Sequence, residues 1–350
     1  MKPTRRTLLV AASLLAVSVA AVRTASLPSR LSDQDFWRLS SEFSEEDGSF
    51  RSDNLLSNEM GLQYVVPDLM KVAKPGRAYM GVGPEQNFTY IVATKPAMAF
   101  IVDIRRGNLD LQLMYKALFE LSSDRSEFVS RLFAKKRPDG LTPKSTASEI
   151  FAKFWNVETS DQLYNENLQA ITNLLEKKHG FALSKLDRDG IEYVYHAFYW
   201  FGPRLQYSST GNFGGGNQPT YADLMTATDL DGVNRGYLAS EDNFRFLKDL
   251  ESKNLLVPVV GNFGGPKAIR AVGRYLKEQG AVVSTFYLSN VEMYLQQDGI
   301  WGNFCNSVSS LPLDDSSTFI RSVRGGGLGP GFGLGSELGN MMQDTKGCRP

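Results

Sequence analysis

A glycine turn at Gly81–Gly83, an unbroken apolar run closed by a carboxylate at Met98–Asp103, and helix–strand alternation returning between residues 240 and 288 predict the fold class. It is α/β: a three-layer, Rossmann-like, mostly parallel sheet with a helical N-terminal extension and a helical insertion.

Lys2, Arg5 and Arg6 precede an apolar run from Leu8 to Val22 that only Ser13 and Ser18 interrupt, and small residues near Ala20 and Ala21 suit cleavage. Residues 1–25 therefore read as a signal peptide, and the protein as exported or envelope-associated. The run falls short of the ~20 residues that span a bilayer, so membrane contact is expected only through a retained N-terminal anchor. Arg5-Arg6 also resembles a twin-arginine signal; a misassigned start codon would leave the protein cytoplasmic.

Residues 29–75 form the helical extension, with helix starts at Asp33-Gln34-Asp35-Phe36-Trp37 and Asn58-Glu59-Met60. The Rossmann-like domain covers residues 76–324. In it Tyr79–Gly83 is a strand running into a turn, Asn87–Thr94 a helix, and Met98–Asp103 a strand buried on both faces, which makes one βαβ unit. The insertion, about 109–190, holds helical stretches at Leu109–Phe133 and Ala147–Lys178. After the aromatic-rich stretch Ile191–Tyr207 come a flexible loop, Gly211–Asn217, and a strand at Ala222–Ala227. A helix at Ser240–Lys253, a strand at Leu255–Val260, a helix at Pro266–Gln279 and a strand at Ala281–Leu288 follow. Thr318–Val323 is a last strand at the sheet edge, and the glycine-rich residues 325–350 are a disordered tail.

Lysine plus arginine and aspartate plus glutamate number 38 each, a balance that provides no field to steer nucleic acid and leaves a small-molecule ligand as the expected partner. Cys305 and Cys348 lie outside any metal-ligand spacing, so no metal is expected; a disulfide and two free thiols both remain open. Asp187-x-Asp189-Gly190 and Asp229-x-Asp231-Gly232 lack the glutamate that closes a calcium loop and read as ordinary turns.

In a βαβ nucleotide site, glycines admit the ligand to the backbone, and a carboxylate ending the next strand accepts ribose hydroxyls. Gly81, Gly83 and Asp103 occupy those places, with Glu85 as an acid at the helix start. Arg105 and Arg106 read as surface residues or partners of Asp103. Gln86 stands where the third glycine of the dinucleotide fingerprint would fall, which favours a ligand without a diphosphate, such as S-adenosylmethionine.

At these residues the chain resembles the class I S-adenosylmethionine-dependent methyltransferases. The likeness lies in Tyr79–Gly83 as their first motif, Phe100–Asp103 as the second, Val259–Asn262 as a fourth strand with a polar end, and Val282–Ser284 in the fifth. The resemblance implies that Gly81 and Gly83 line the methionine part, that Asp103 binds ribose and that Asn262 faces the reacting atoms. The chain departs from that pattern at Pro84-Glu85, where the family usually has another glycine, and at Phe263-Gly264-Gly265 after Asn262. The chain also resembles an uncharacterised bacterial family bearing the motifs at Gly81–Phe88 and Phe286–Asn290.

Asn262 and His196 are the candidate catalytic residues, and Asn290 and Tyr199 the candidate substrate-binding residues. The competing expectation is an exported, non-catalytic binding or envelope protein using the pocket or the aromatic surface Tyr195–Trp200.

Overall fold

A computed structural model describes residues 26–209, 218–324 and 334–348. The expected signal segment and the loop Gly211–Asn217 lie outside the described residues. Helices α1 (Asp33–Phe43) and α2 (Val66–Val72) precede β1 (Ala78–Gly81), α3 (Gln86–Thr94) and β2 (Met98–Asp103). A helical run follows: α4 (Arg106–Leu121), α5 (Arg125–Leu132), α6 (Ala147–Phe154), α7 (Asp161–Thr172), α8 (Lys185–Phe201), α9 (Tyr221–Thr226) and α10 (Glu241–Ser252). The chain then returns to the sheet through β3 (Leu256–Val260), α11 (Ala268–Glu278) and β4 (Val283–Ser289). Two helices, α12 (Val291–Gln297) and α13 (Trp301–Ser309), lead to β5 (Thr318–Arg324), β6 (Leu334–Asn340) and α14 (Met341–Asp344).

The fold is α/β, and the six strands among the described residues form one mostly parallel sheet in the order β3-β2-β1-β4-β5-β6. Met80 of β1 pairs with Phe100 of β2 on one side and Phe286 of β4 on the other, both parallel. Only β6 runs antiparallel, pairing Leu338 with Ile320. Every residue of β2 is buried, as its apolar sequence requires of a strand covered on both faces. Each of Phe100, Ile101 and Val102 there contributes roughly 1.5–3 kcal/mol relative to exposure. Helices α4 and α11 both pack on β2.

Four expectations change. The stretch expected as a strand at Ala222–Ala227 is helix α9, because Thr220 and Asp223 form a reciprocal capping box at its start. The strand ending at Val260 is therefore third in chain order rather than fourth, and it lies at the sheet edge beside β2. Asp187-x-Asp189-Gly190 is no turn but the opening of α8, where Asp187 reciprocates the Ser184 cap. Gly190 allows this helix to approach α4: a Cβ there would lie 2.1 Å from an Asp110 carboxylate oxygen. Finally, β5 is not the edge, since part of the expected tail forms β6, and Cys348 is joined to Cys305 of α13 by a disulfide. Residues 325–333 lie outside the described residues.

Candidate functional site

A cleft of about 990 Å³ opens at the C-terminal edge of the sheet. Asp103 ends β2, and Gly83, Asn262 and Asn290 follow β1, β3 and β4; all four line it. The chain builds β1, β2 and β3 outward in one direction and then crosses back to place β4 on the other side of β1. Ligands of open α/β sheets gather outside the carboxyl ends of the strands at such a reversal.

The segment between α1 and α2 covers these strand ends. Glu45 N donates to Val260 O at 2.8 Å and Gly48 N to Ile104 O at 2.9 Å. Neither α4 nor α11 has a side-chain cap of its own, and the segment supplies both. Asp47 accepts from Arg106 N at 2.7 Å, while the Glu45 carboxylate accepts from the backbone N–H groups of Lys267 and Ala268, each at 2.8 Å. Carboxylates at helix N-termini meet unpaired donors and the positive end of the dipole. The segment thus fixed brings Arg51, Ser57 and Glu59 to the cleft wall.

The glycine turn is held from within. Asn87 Nδ2 donates to the carbonyls of Val82 and Pro84, each at 2.8 Å, and its Oδ1 accepts from Tyr79 Oη at 2.9 Å. A Cβ on Gly81 would lie 1.9 Å from that Oδ1, so Gly81 admits the Asn87 side chain and does not itself line the cleft. Gly83, at φ +79°, occupies the left-handed region and faces the cleft. Asn87 is fully buried, which leaves its sequon no access for a glycan.

Asp103 is 4% exposed, and Arg105 grips it from two residues away. Its Oδ1 accepts from Arg105 N at 2.9 Å and Nε at 3.1 Å, and its Oδ2 from a terminal guanidinium nitrogen at 3.0 Å. Arg106 instead pairs with Asp187. Glu85 does not line the cleft. It is buried near Tyr115, Tyr221 and Tyr237, and burial, with Glu59 close by, pushes its carboxyl up to about 8.

Asn262 lines the cleft, but its Oδ1 is held by Gly264 N at 2.9 Å in its own turn. The side chain of Asn290 does not cap α12 and stays with the cleft wall. His196 and Tyr199 do not line the cleft. His196 is exposed on α8 between the rings of Tyr164 and Trp200, and Tyr199 Oη donates to Asp161.

Sequence reasoning missed Glu59, Arg51, Tyr207, Tyr287 and Tyr294, which complete the cleft wall. Glu59 is 2% exposed and accepts from Tyr287 Oη at 2.9 Å, Ser289 Oγ at 2.7 Å and Gln86 Nε2 at 2.9 Å. Tyr294 Oη accepts from Arg51 at 2.7 Å, and the guanidinium stands 5.4 Å from the ring centroid.

A family model described as Domain of unknown function (DUF7790) matches residues 55–333, a span that includes β1 to β5 and the cleft residues from Leu56 onward. No curated protein matches the chain.

Proposed function

Because the chain belongs to the family described as Domain of unknown function (DUF7790), and a fold by itself confers no activity, we propose from the cleft that it binds a small ligand of nucleoside type, with S-adenosylmethionine the first candidate. The reading takes the scaffold as three-layer and Rossmann-like. The observation that carries it is the meeting of four parallel strand ends around a cleft of about 990 Å³ at the reversal between β1 and β4. That volume falls at the upper end of the ~300–1,000 Å³ typical of small-molecule sites.

The cleft residues fit such a ligand. Asp103 uses three acceptor positions on Arg105, and a carboxylate has about four, so one remains for a hydroxyl. Phe50, Tyr207 and Tyr294 bring aromatic rings to the cleft for a flat base, and Asn290 brings an amide for its polar edge. S-adenosylmethionine, when bound, supplies a methyl group on a sulfonium. The cleft lining includes no histidine, and the Asn262 oxygen is already engaged, so the lining supports binding more strongly than methyl transfer.

A second reading, an exported binding protein without turnover, draws on the Cys305–Cys348 disulfide. Such bonds persist in oxidising compartments, whereas S-adenosylmethionine is made in the cytoplasm. Calorimetry with S-adenosylmethionine and S-adenosylhomocysteine tests the leading proposal. Saturable heat is expected, and Asp103→Ala should weaken binding by roughly 1.5–3 kcal/mol through loss of a charge-assisted bond. No heat from either compound with folded protein would overturn it.

A further inference from the structure

We propose that Glu59 makes one end of the cleft a subsite for an organic cation, an ammonium or comparable group carried on an aromatic or apolar body. The proposal rests on reading the cleft as a ligand site and narrows the class of ligand. Glu59 is almost wholly shielded from solvent yet lines the cleft. Its three side-chain donors, Tyr287, Ser289 and Gln86, are all neutral. Among the described residues no lysine, arginine or histidine forms an ion pair with it. Unless it is protonated, as Glu85 and Glu251 of this protein are favoured to be, a buried carboxylate is paired with a cation or bound to a metal, because the low dielectric penalises a lone charge. The cleft is the side from which the missing partner can come.

Two further features point to an organic cation. Ser289 is held at φ +50°, a left-handed conformation that is unfavourable for a side chain other than glycine, and its hydroxyl donates to Glu59. The end of β4 is therefore shaped around the carboxylate. Tyr287, whose hydroxyl donates to Glu59, places an aromatic ring beside the carboxylate, and ring faces attract ammonium groups. A metal ion is a poorer match: no group of three or more His, Cys, Asp or Glu among the described residues could hold one, and hard cations take about six to eight oxygen ligands. Of the other carboxylates in the lining, Asp103 is tied to Arg105 and Asp298 is exposed.

Three probes that differ only in the head group test the proposal: tyramine (ammonium), tyrosol (hydroxyl) and 3-(4-hydroxyphenyl)propionate (carboxylate). Titrated calorimetrically into the full chain, tyramine should bind about ten- to hundredfold more tightly than tyrosol, and the carboxylate should bind most weakly. Glu59→Gln should erase the advantage of tyramine while leaving the melting temperature of the free protein unchanged or higher, because it removes a buried charge. Equal affinity for the three heads, or no binding by any of them, overturns the subsite. If Glu59→Gln melts lower than wild type, Glu59→Asp decides. A tyramine preference kept in Asp and lost in Gln supports the subsite; one kept in both or lost in both overturns it. Tyramine preference without S-adenosylmethionine binding would sink only the nucleoside reading. S-adenosylmethionine binding without a tyramine preference would sink only the cation subsite.

Discussion

Glu251 is fully buried on α10, and neither carboxylate oxygen has a hydrogen-bond partner. Burial pushes its carboxyl up to about 8, with Lys116 opposing the shift. The folded state thus holds a proton that the unfolded chain releases near the ordinary value of 4.5, so stability falls as pH rises between 4.5 and about 8. Glu251→Gln should remove this dependence and raise the melting temperature more at about pH 9 than at about pH 5. Thermal unfolding at both pH values checks it, and an equal gain at both would contradict the account. Glu85 obeys the same rule, and it also shows how far single residues were legible. Its place at a helix start was readable, but not the direction of its side chain, which turns from the cleft toward buried tyrosines. Gly81 was read as a glycine that admits a ligand to the backbone, whereas the space beside it is taken by the Asn87 side chain, a contact the sequence did not reveal. Arg105 was readable as a partner of Asp103 because it lies two positions further along the chain.

At the scale of elements, β2, β3, α11 and β4 were legible because their apolar patterns are long and bounded by polar or glycine-containing turns. Helix α9 was misread because six residues are too few to separate the two periodicities, although the Thr220–Asp223 cap was present in the sequence. Strand β6 carries Gly335 and Gly339 and no β-branched residue; its pairing with β5 is a tertiary contact that local propensity cannot reveal. The covering segment had no period at all, since its conformation comes from hydrogen bonds to distant strand ends and helix starts. That dependence can be measured. Glu45→Ala strips the acceptor from the N–H groups of Asn262, Lys267 and Ala268 and should destabilise the protein by about 1–3 kcal/mol in urea unfolding. A change below about 0.5 kcal/mol would mean that water replaces the cap and that the segment is held otherwise.

At the scale of the molecule, the order β3-β2-β1-β4-β5-β6 decides where the chemistry sits. The sequence located Gly83, Asp103, Asn262 and Asn290 at strand ends, and the topology gathers those four around one cleft. It could not show that α8 carries His196 and Tyr199 elsewhere, because helix packing depends on long-range contacts. The central claim is that a small ligand occupies the space between the turn after β1 and the end of β4. Asn290→Trp fills that space from a side chain that caps no helix, so the fold should tolerate it. Calorimetric titration of wild type and Asn290→Trp with S-adenosylhomocysteine, alongside their melting curves, tests the claim most directly. The account expects saturable binding to wild type and at least about a tenfold loss, roughly 1.4 kcal/mol, in a variant that melts like wild type. Undiminished binding by the filled variant would place the ligand elsewhere and contradict it.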